Sequence, residues 1–365
     1  MKYPSVDIII CTYNNEGIIS ECLKRIRNLN YPFRECIVVD DYSNDNTVKV
    51  IKEDFPWVKT IEKKVQTGPS ESRNIAINKS NADLLLFLDS DIQVTNNFLS
   101  KLVKSTNQFE NVAISGGKLL LSDGSIDAAG GGLTKLGIGF DVGHKGNRQN
   151  YSQGKDMMYI PSAAMLVNRK LIQEIGSFDD TYFYGHEDTD LCWRVNIAGF
   201  RVYYEPSAIA FHYKNKTISK MIKNVHYYGT RNRIRSLIKN HQLNTLFKYL
   251  PIYMMFSFFD ILFRSYKKEK VSAWWWNMMN LRDTLQKRKG IQALRVFSDF
   301  ELPFSSMGHL FKVSWRDNMA KEKLYCDRCG KRIKIGKHCN SCIGLLSKQK
   351  RDSKQLYDAA QYDTK

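Results

Sequence analysis

No uninterrupted run of about 20 apolar residues, the length a helix needs to cross a bilayer core, occurs in this 365-residue chain. The most apolar window, Leu246 to Phe263, holds Lys248, Pro251 and Asp260, and so predicts an interfacial or re-entrant element. Met1 to Asp7 enters a strand-like run without the apolar core and small-residue cleavage site of a leader. That sets the expectation of a reducing, cytoplasmic setting. The first strand–helix turn, Cys11 to Gly17, lacks Gly-x-Gly-x-x-Gly, the usual backbone cradle for a pyrophosphate, which disfavours a dinucleotide oxidoreductase. Acidic residues are scarce in one half only. Residues 201–365 hold 12 Asp+Glu against 33 Lys+Arg, whereas residues 1–200 hold 25 against 22. The whole basic excess lies in the back half, which points to an anionic membrane surface or a nucleic acid.

With 43% hydrophobic residues, the chain has material for two or three domains. Val6-Asp7-Ile8-Ile9-Ile10-Cys11, Cys36-Ile37-Val38-Val39, Val58-Lys59-Thr60-Ile61 and Leu84-Leu85-Leu86-Phe87-Leu88 read as buried strands. Helical patterns separate them, beginning with Ile18, Ile19, Cys22, Leu23, Ile26 and Leu29. Alternation of this kind predicts an α/β class with a doubly wound, mostly parallel sheet. Strands of such a sheet deliver their carboxyl ends to one edge. Thr12, Glu16, Asp40, Asp41, Asp89 and Asp91 should therefore converge there. Asp89-Ser90-Asp91 is either a hard oxygen site for a divalent cation or an acidic turn capping the next helix.

Beyond that edge, Ile92 to Phe109 reads as a helix and Val112 to Lys118 as a strand. The glycine-rich stretch 123–150 is expected to be either a substrate-covering loop or plain disorder. Ser162 to Val167 and Pro206 to His212 are further strands. Between them, Glu187 and Asp188 open a helix with Leu191, Val195 and Ala198 on one face. Acids in a first turn suit the helix dipole, and the same acids can serve as a general base. Asp190 and Arg194, four apart, are expected to form a structural pair. His144 and His186 are weaker site candidates. Ile218 to Asn240 predicts a helix whose charge comes from Lys220, Lys223, Arg231, Arg233, Arg235 and Lys239. Arg264, Lys267, Lys268 and Lys270, with Trp274-Trp275-Trp276, fit a segment resting at a lipid headgroup layer.

Eight cysteines divide into two groups. Cys11, Cys22, Cys36 and Cys192 sit among apolar residues and read as small core side chains. Cys326-x-x-Cys329 and Cys339-x-x-Cys342 form two hooks with the spacing of a tetrahedral thiolate site for structural Zn²⁺.

In their order, Val6-Asp7-Ile8-Ile9-Ile10-Cys11-Thr12-Tyr13-Asn14, Ile37-Val38-Val39-Asp40-Asp41-Tyr42-Ser43-Asn44-Asp45, Arg73-Asn74 and Phe87-Leu88-Asp89-Ser90-Asp91 resemble the family 2 glycosyltransferases. The resemblance spans about residues 4–240. It departs at Gly68 to Arg73, where relatives have a more glycine-rich approach, though Ser72 keeps the small residue usual there. It implies the GT-A nucleotide-sugar fold and inversion at the anomeric carbon. Thr12, Tyr13 and Glu16 would then line the nucleoside pocket and Asp41 would contact a pyrimidine base. Arg73 would lie near the diphosphate, Ser90 would belong to the donor site, and Asp89 and Asp91 would hold Mg²⁺ or Mn²⁺, with His212 approaching the metal. Gly185-His186-Glu187-Asp188-Thr189-Asp190-Leu191 resembles the family's Glu-Asp motif, which makes Asp188 the base, with Glu187 as the alternative. His226-Tyr227-Tyr228-x-x-Arg231-Asn232 is similar to a segment of the rhamnosyltransferase-like branch, where Arg231 would meet the diphosphate of a donor or lipid carrier.

The expected organisation is a nucleotide-sugar half (1–110), an acceptor half (111–212), a basic helical membrane-associated region (213–320), a zinc-ribbon-like module (321–344) and a disordered tail (345–365). The expected activity is sugar transfer from a nucleotide-diphosphate donor to a glycan or lipid-linked hydroxyl, on the inner membrane face. A nucleic-acid-binding protein and a retired scaffold are the competing readings. Acids converging in the near-neutral half speak against the first, and the presence of Asp89, Asp91, Glu187 and Asp188 against the second.

Overall fold

A computed structural model describes residues 4–213 and 222–306. The four clustered cysteines, the module at 321–344 and the tail lie outside the described residues, as do Ile218, Lys220 and Met221. The front of the chain alternates as its pattern predicts. β1 (Val6–Thr12) is followed by α1 (Ile19–Arg27), β2 (Glu35–Asp40), α2 (Thr47–Asp54), β3 (Lys59–Glu62), α3 (Pro69–Lys79) and β4 (Leu84–Asp89). These strands pair in parallel, β3-β2-β1-β4. Unbroken apolar runs form them because both faces are covered. Ile8 and Ile10 pack with Ile19, Leu23 and Ile26 of α1, while Ile9 and Ile37 pack on the other side with Ala76 and Ile77 of α3.

The second half departs from a parallel order. After β5 (Ile92–Val94) and α4 (Phe98–Gln108) come β6 (Val112–Leu121), β7 (Ile126–Ala128), β8 (Gly131–Leu133), β9 (Gly139–Asp141), β10 (Lys155–Asp156), β11 (Ala164–Asn168), α5 (Arg169–Ile175), α6 (Glu187–Ile197) and β12 (Arg201–His212). The main sheet runs β10-β12-β6-β11-β4-β1-β2-β3, with β5 on β12 and β7 on β6. β11 enters antiparallel between β4 and β6. Residues 92–94 are a strand, not the first turn of a helix, because Ile92 and Val94 point into the core while the backbone pairs with residues 210–212.

The stretch 123–150 is not a loose cover. It carries three short strands, and residues 126–134 are all buried. Its glycines hide the periodicity by letting backbone lie directly on rings. A Cβ at Gly131 would stand 2.1 Å from the Tyr159 ring.

Four helices close the described chain: α7 (Ile222–Asn240), α8 (Leu243–Phe263), α9 (Lys267–Met279) and α10 (Leu281–Ala293). They share a core with α6, in which Trp193 and Ile197 meet Ile234, Leu237, Leu246 and Ile291. Several charges of α7 are spent inside the protein. Lys239 Nζ lies 2.6 Å from Asp179 and 3.0 Å from Asp190, and Arg235 Nε lies 3.0 Å from Asp179. Arg194 pairs with Asp190 at 3.0 Å, as the four-residue spacing predicts. Burial alone would raise both carboxyls, but Lys239 and its neighbouring cations reverse this, and Asp190 falls to about 2. Arg231, Arg235 and Lys239 are therefore buried internal cations.

α8 contains the apolar window expected to be interfacial or re-entrant. It runs 21 residues straight through Pro251, and among the described residues it is the one helix long and apolar enough to cross a membrane. The window appears short in sequence because Leu243 to Thr245 also belong to the helix. Only a narrow stripe with Leu246, Tyr253 and Ser257 is buried, while Phe247, Phe256, Phe259 and Phe263 face outward. The tryptophans of α9 do not act together. Trp275 is exposed, but Trp274 Nε1 donates to Ser257 Oγ and Trp276 lies under Arg231.

Removing Lys239 leaves buried Asp190 with less compensation, a loss of about 3–5 kcal/mol when one partner of a buried ion pair is deleted. Lys239→Ala should lower the denaturant midpoint accordingly, while Lys223→Ala, at an exposed position of the same helix, should leave it in place. Equal midpoints for the two variants would show that the buried pair is dispensable.

Candidate active site

The strand ends meet as the parallel register requires. Cys11 sits opposite Asp89 and Thr12 opposite Asp40. Asp41 follows, its amide donating to Thr12 O at 2.9 Å. Its carboxylate is buried and held by the chain: it accepts from the amides of Thr67 and Gly68 at 3.0 and 2.9 Å and lies 2.6 Å from Lys63 Nζ. Gly68 is required there. It has φ +91°, and a Cβ would stand 2.2 Å from Phe183 O. Asp41 thus fixes the loop into α3, and its oxygens face that loop rather than an open pocket. Thr12 is buried, Tyr13 partly buried, and exposed Glu16 accepts from Asn46 N at 2.8 Å.

Arg73 projects from α3 into the centre. Its guanidinium is buried, with Nη2 3.0 Å from Asp89 and Nη1 3.2 Å from Glu187. Burial raises the Asp89 carboxyl, which Arg73 opposes and Asp91 reinforces. Ser90 is buried between the two acids. Arg73 therefore bridges the end of β4 to the start of α6.

Asp91 faces His212, whose Nε2 lies 3.5 Å away. His212 Nδ1 is 2.7 Å from Asp127, a residue of β7. Burial alone would lower the imidazole, but bonding to Asp127 and Asp91 outweighs it and raises its pKa to about 9. His144 also reaches Asp127, with Nδ1 3.0 Å from its carbonyl. Asp127 escaped the sequence reading because it lies in the glycine-rich stretch. Its one signal is an acid set between Ile126 and Ala128.

The two acids at the start of α6 separate clearly. Glu187 is buried, with Oε1 toward Arg73 and Oε2 without a hydrogen-bond partner among the described residues. Asp188 instead lines a cavity of about 420 Å³, together with Asp127, Asp141, Tyr159, Tyr184 and Arg233. Its Oδ2 accepts from Ser162 N at 3.3 Å and its Oδ1 from Thr189 N at 2.6 Å. Burial, reinforced by Glu187, raises its pKa to about 7 against those hydrogen bonds. That is the range a general base needs at neutral pH. His186, in the left-handed region at φ 73°, turns its Nε2 to Gly137 O at 3.0 Å and is pushed down by burial to about 4. Arg231, expected at a diphosphate, is absent from this wall. It donates to Thr181 O and stacks on Tyr228 and Trp276. Two residues on, Arg233 reaches the cavity instead.

Whether a divalent ion suits Asp89, Asp91 and His212 can be judged from these donors. Among the described residues, no three His, Cys, Asp or Glu side chains stand together as a metal-holding group. One or two carboxylates with substrate phosphates completing the shell is nevertheless a normal arrangement for Mg²⁺. Asp89 and Asp91 have the right donor chemistry for that, and His212 could join only by giving up its Nε2 proton.

Residues 7–176 match the model described as Glycosyl transferase family 2. The chain is 27% identical over 232 residues to a pre-mycofactocin glycosyltransferase of Mycobacterium tuberculosis, covering 62% of this chain and 47% of the relative. It is 26% identical over 138 residues to a GalNAc(5)-diNAcBac-PP-undecaprenol beta-1,3-glucosyltransferase of Campylobacter jejuni, covering 36% and 44%. The chain thus spans about half the length of these curated relatives. Among solved structures, residues 1–349 of S. aureus TarS in complex with UDP-GlcNAc superpose with a TM-score of 0.51 at 17% identity, covering 80% of this chain and 84% of that one. The shared architecture is a mixed α/β, GT-A-like fold.

Asp127 is what holds a proton on His212. In an NMR titration of the metal-free protein, Asp127→Asn should bring the His212 midpoint down from about 9 toward the ordinary 6.5. An unmoved midpoint would assign the shift to Asp91 alone.

Proposed function

We propose that this chain, through the span that matches Glycosyl transferase family 2, moves a sugar from a nucleotide-diphosphate donor to a hydroxyl of a glycan or lipid-linked acceptor, with inversion at the anomeric carbon. The observation that carries this reading is Asp188 on the cavity wall with its pKa near 7. An acceptor hydroxyl in the cavity would give its proton to Asp188 as its oxygen attacks the anomeric carbon. The new carbon–oxygen bond forms while the bond to the diphosphate breaks, in one displacement. Glu187 is a poorer candidate for the base because its Oε1 is committed to Arg73, its Oε2 is buried, and it is not among the residues lining the cavity. Arg73 keeps Asp89 and Glu187 in place, so that the donor edge and the acceptor wall hold one spacing. Mg²⁺ or Mn²⁺, when held by Asp89 and Asp91 with His212, would offset the charge of the leaving diphosphate.

The rhamnosyl-like specificity rests on the Tyr227-Tyr228-x-x-Arg231-Asn232 string alone. Arg231 now supports it only as a packing residue. Docking on the inner face of a membrane is supported by α8 and its flanks. Phe247, Phe256, Phe259, Phe263 and Trp275 are exposed together with Arg264, Lys267 and Lys268. Apolar rings with adjacent cations suit an anionic headgroup layer.

Asp188→Asn should cut transfer by about 10²–10⁴-fold while nucleotide affinity is retained. Lost affinity would move Asp188 to the donor site. For the native enzyme, the rate should rise as pH increases through about 7, because the base is the deprotonated form of a group whose pKa is raised. A rate already flat from pH 5 to 8 would reject that assignment. For the membrane, the full-length protein should float with vesicles containing anionic lipid, and a Phe247→Ser/Phe259→Ser/Phe263→Ser variant should stay behind. Flotation equal for both would place the binding elsewhere.

A further inference from the structure

The cavity beside Asp188 has an uneven charge distribution. Asp127, Asp141 and Asp188 are its carboxylates, and Arg233 is the one Lys or Arg among its lining residues. The acids are satisfied within the fold. Asp127 pairs with His212, Asp141 accepts from Tyr159 Oη at 2.9 Å, and Asp188 accepts from two backbone amides. Arg233 is not. Its Nε is buried without a hydrogen-bond partner, and among the described residues it forms no ion pair. This sets it apart from its helix neighbours, since Arg235 is paired with Asp179 and Asp283, and Lys239 with Asp179 and Asp190.

The surroundings of Arg233 form a built site. Tyr253 of α8 lies beneath the guanidinium, 5.6 Å from carbon to ring centroid, which backs its plane on one side. The side chain also lines the cavity. Val225, Gly229 and Arg233 are spaced by four along α7 and form one wall. A Cβ at Gly229 would meet no atom within 4 Å, so this wall is open beside the guanidinium. A neutral sugar has no need of a cation on its wall. A buried N–H left without an acceptor is costly, and a guanidinium matches phosphate through paired N–H donors. His212 is the other cation on the wall, but it is already paired with Asp127 and Asp91. Asp141 and Asp188 disfavour an anion on their side, which leaves Arg233 as the group an anion can partner.

We propose that this cavity binds an acceptor carrying a phosphate group close to the hydroxyl that receives the sugar, with Arg233 as the phosphate's partner. This rests on the glycosyltransferase reading and assigns the chemical class of its acceptor. The phosphate can belong to a lipid carrier or to a water-soluble phosphate polymer. Tyr253 belongs to α8, whose exposed residues include Met255, Phe256 and Phe259, so a lipid-borne phosphate has apolar surface available on the same helix.

The test uses the full-length protein and two probe pairs in calorimetric titration: glycerol phosphate against glycerol, and polyprenyl phosphate against polyprenol in detergent micelles. In the wild type, the phosphorylated member of a pair should bind about tenfold or more tightly. Arg233→Gln should abolish that difference, Arg233→Lys should restore part of it, and Gly229→Leu should weaken all probes by filling the cavity. Discrimination confined to the polyprenyl pair identifies a lipid-borne phosphate, and discrimination in both pairs identifies a soluble one. UDP, GDP and dTDP are titrated alongside. If Arg233→Gln weakens a nucleoside diphosphate as much as it weakens the phosphate probes, the guanidinium belongs to the donor and the proposal falls. It falls equally if phosphate makes no difference in the wild type. If no nucleoside diphosphate binds but phosphate discrimination persists, the donor reading fails and the Arg233 site stands.

Discussion

Arg73 is the tie on which the two sides of the site depend. A guanidinium buried in the interior must be matched by charge and hydrogen bonds, or it costs several kcal/mol. Its two partners come from distant parts of the chain, Asp89 at the end of β4 and Glu187 at the start of α6. Satisfying one side chain therefore sets the position of a strand end relative to a helix start. Asp188, next to Glu187, is placed on the cavity wall as a result.

The same logic repeats below the site at larger scale. Asp179 and Asp190 are buried acids that draw Arg194, Arg235, Lys239 and Lys287 inward. That network locks α7 and α10 to α6, so the helices after β12 share in supporting the site. It also reinterprets the charge asymmetry of the sequence. Part of the basic excess in the back half neutralises acids contributed by the front half. What remains outward on α8 and α9 is a ridge of aromatic and aliphatic side chains with a few cations.

Glycine explains where pattern reading fails. The stretch 123–150 has little periodicity because its glycines press backbone onto Tyr159 and Phe140 without side chains of their own. Periodicity reports which side chains face a core, and it is silent where backbone itself is the packing surface. Asp127, the partner of His212, was hidden there for that reason. Residues 92–94 misled for a related reason: three residues are too few to separate a strand from a helix start, and pairing with β12 decided the matter.

The sequence alone determined the parallel front of the sheet, the convergence of Thr12, Asp41, Asp89 and Asp91 at its edge, and the acid pair opening α6. These follow from local rules: unbroken apolar runs make doubly covered strands, and parallel strands end on one side. Only the tertiary structure decided which of Glu187 and Asp188 faces open space, that Arg231 packs while Arg233 reaches the cavity, and that Asp41 and Arg73 hold the chain's own groups. Each of those choices depends on which distant partner a charged side chain meets. Sequence spacing places a charge on a helix or strand, but burial and its counter-charge determine what that charge does.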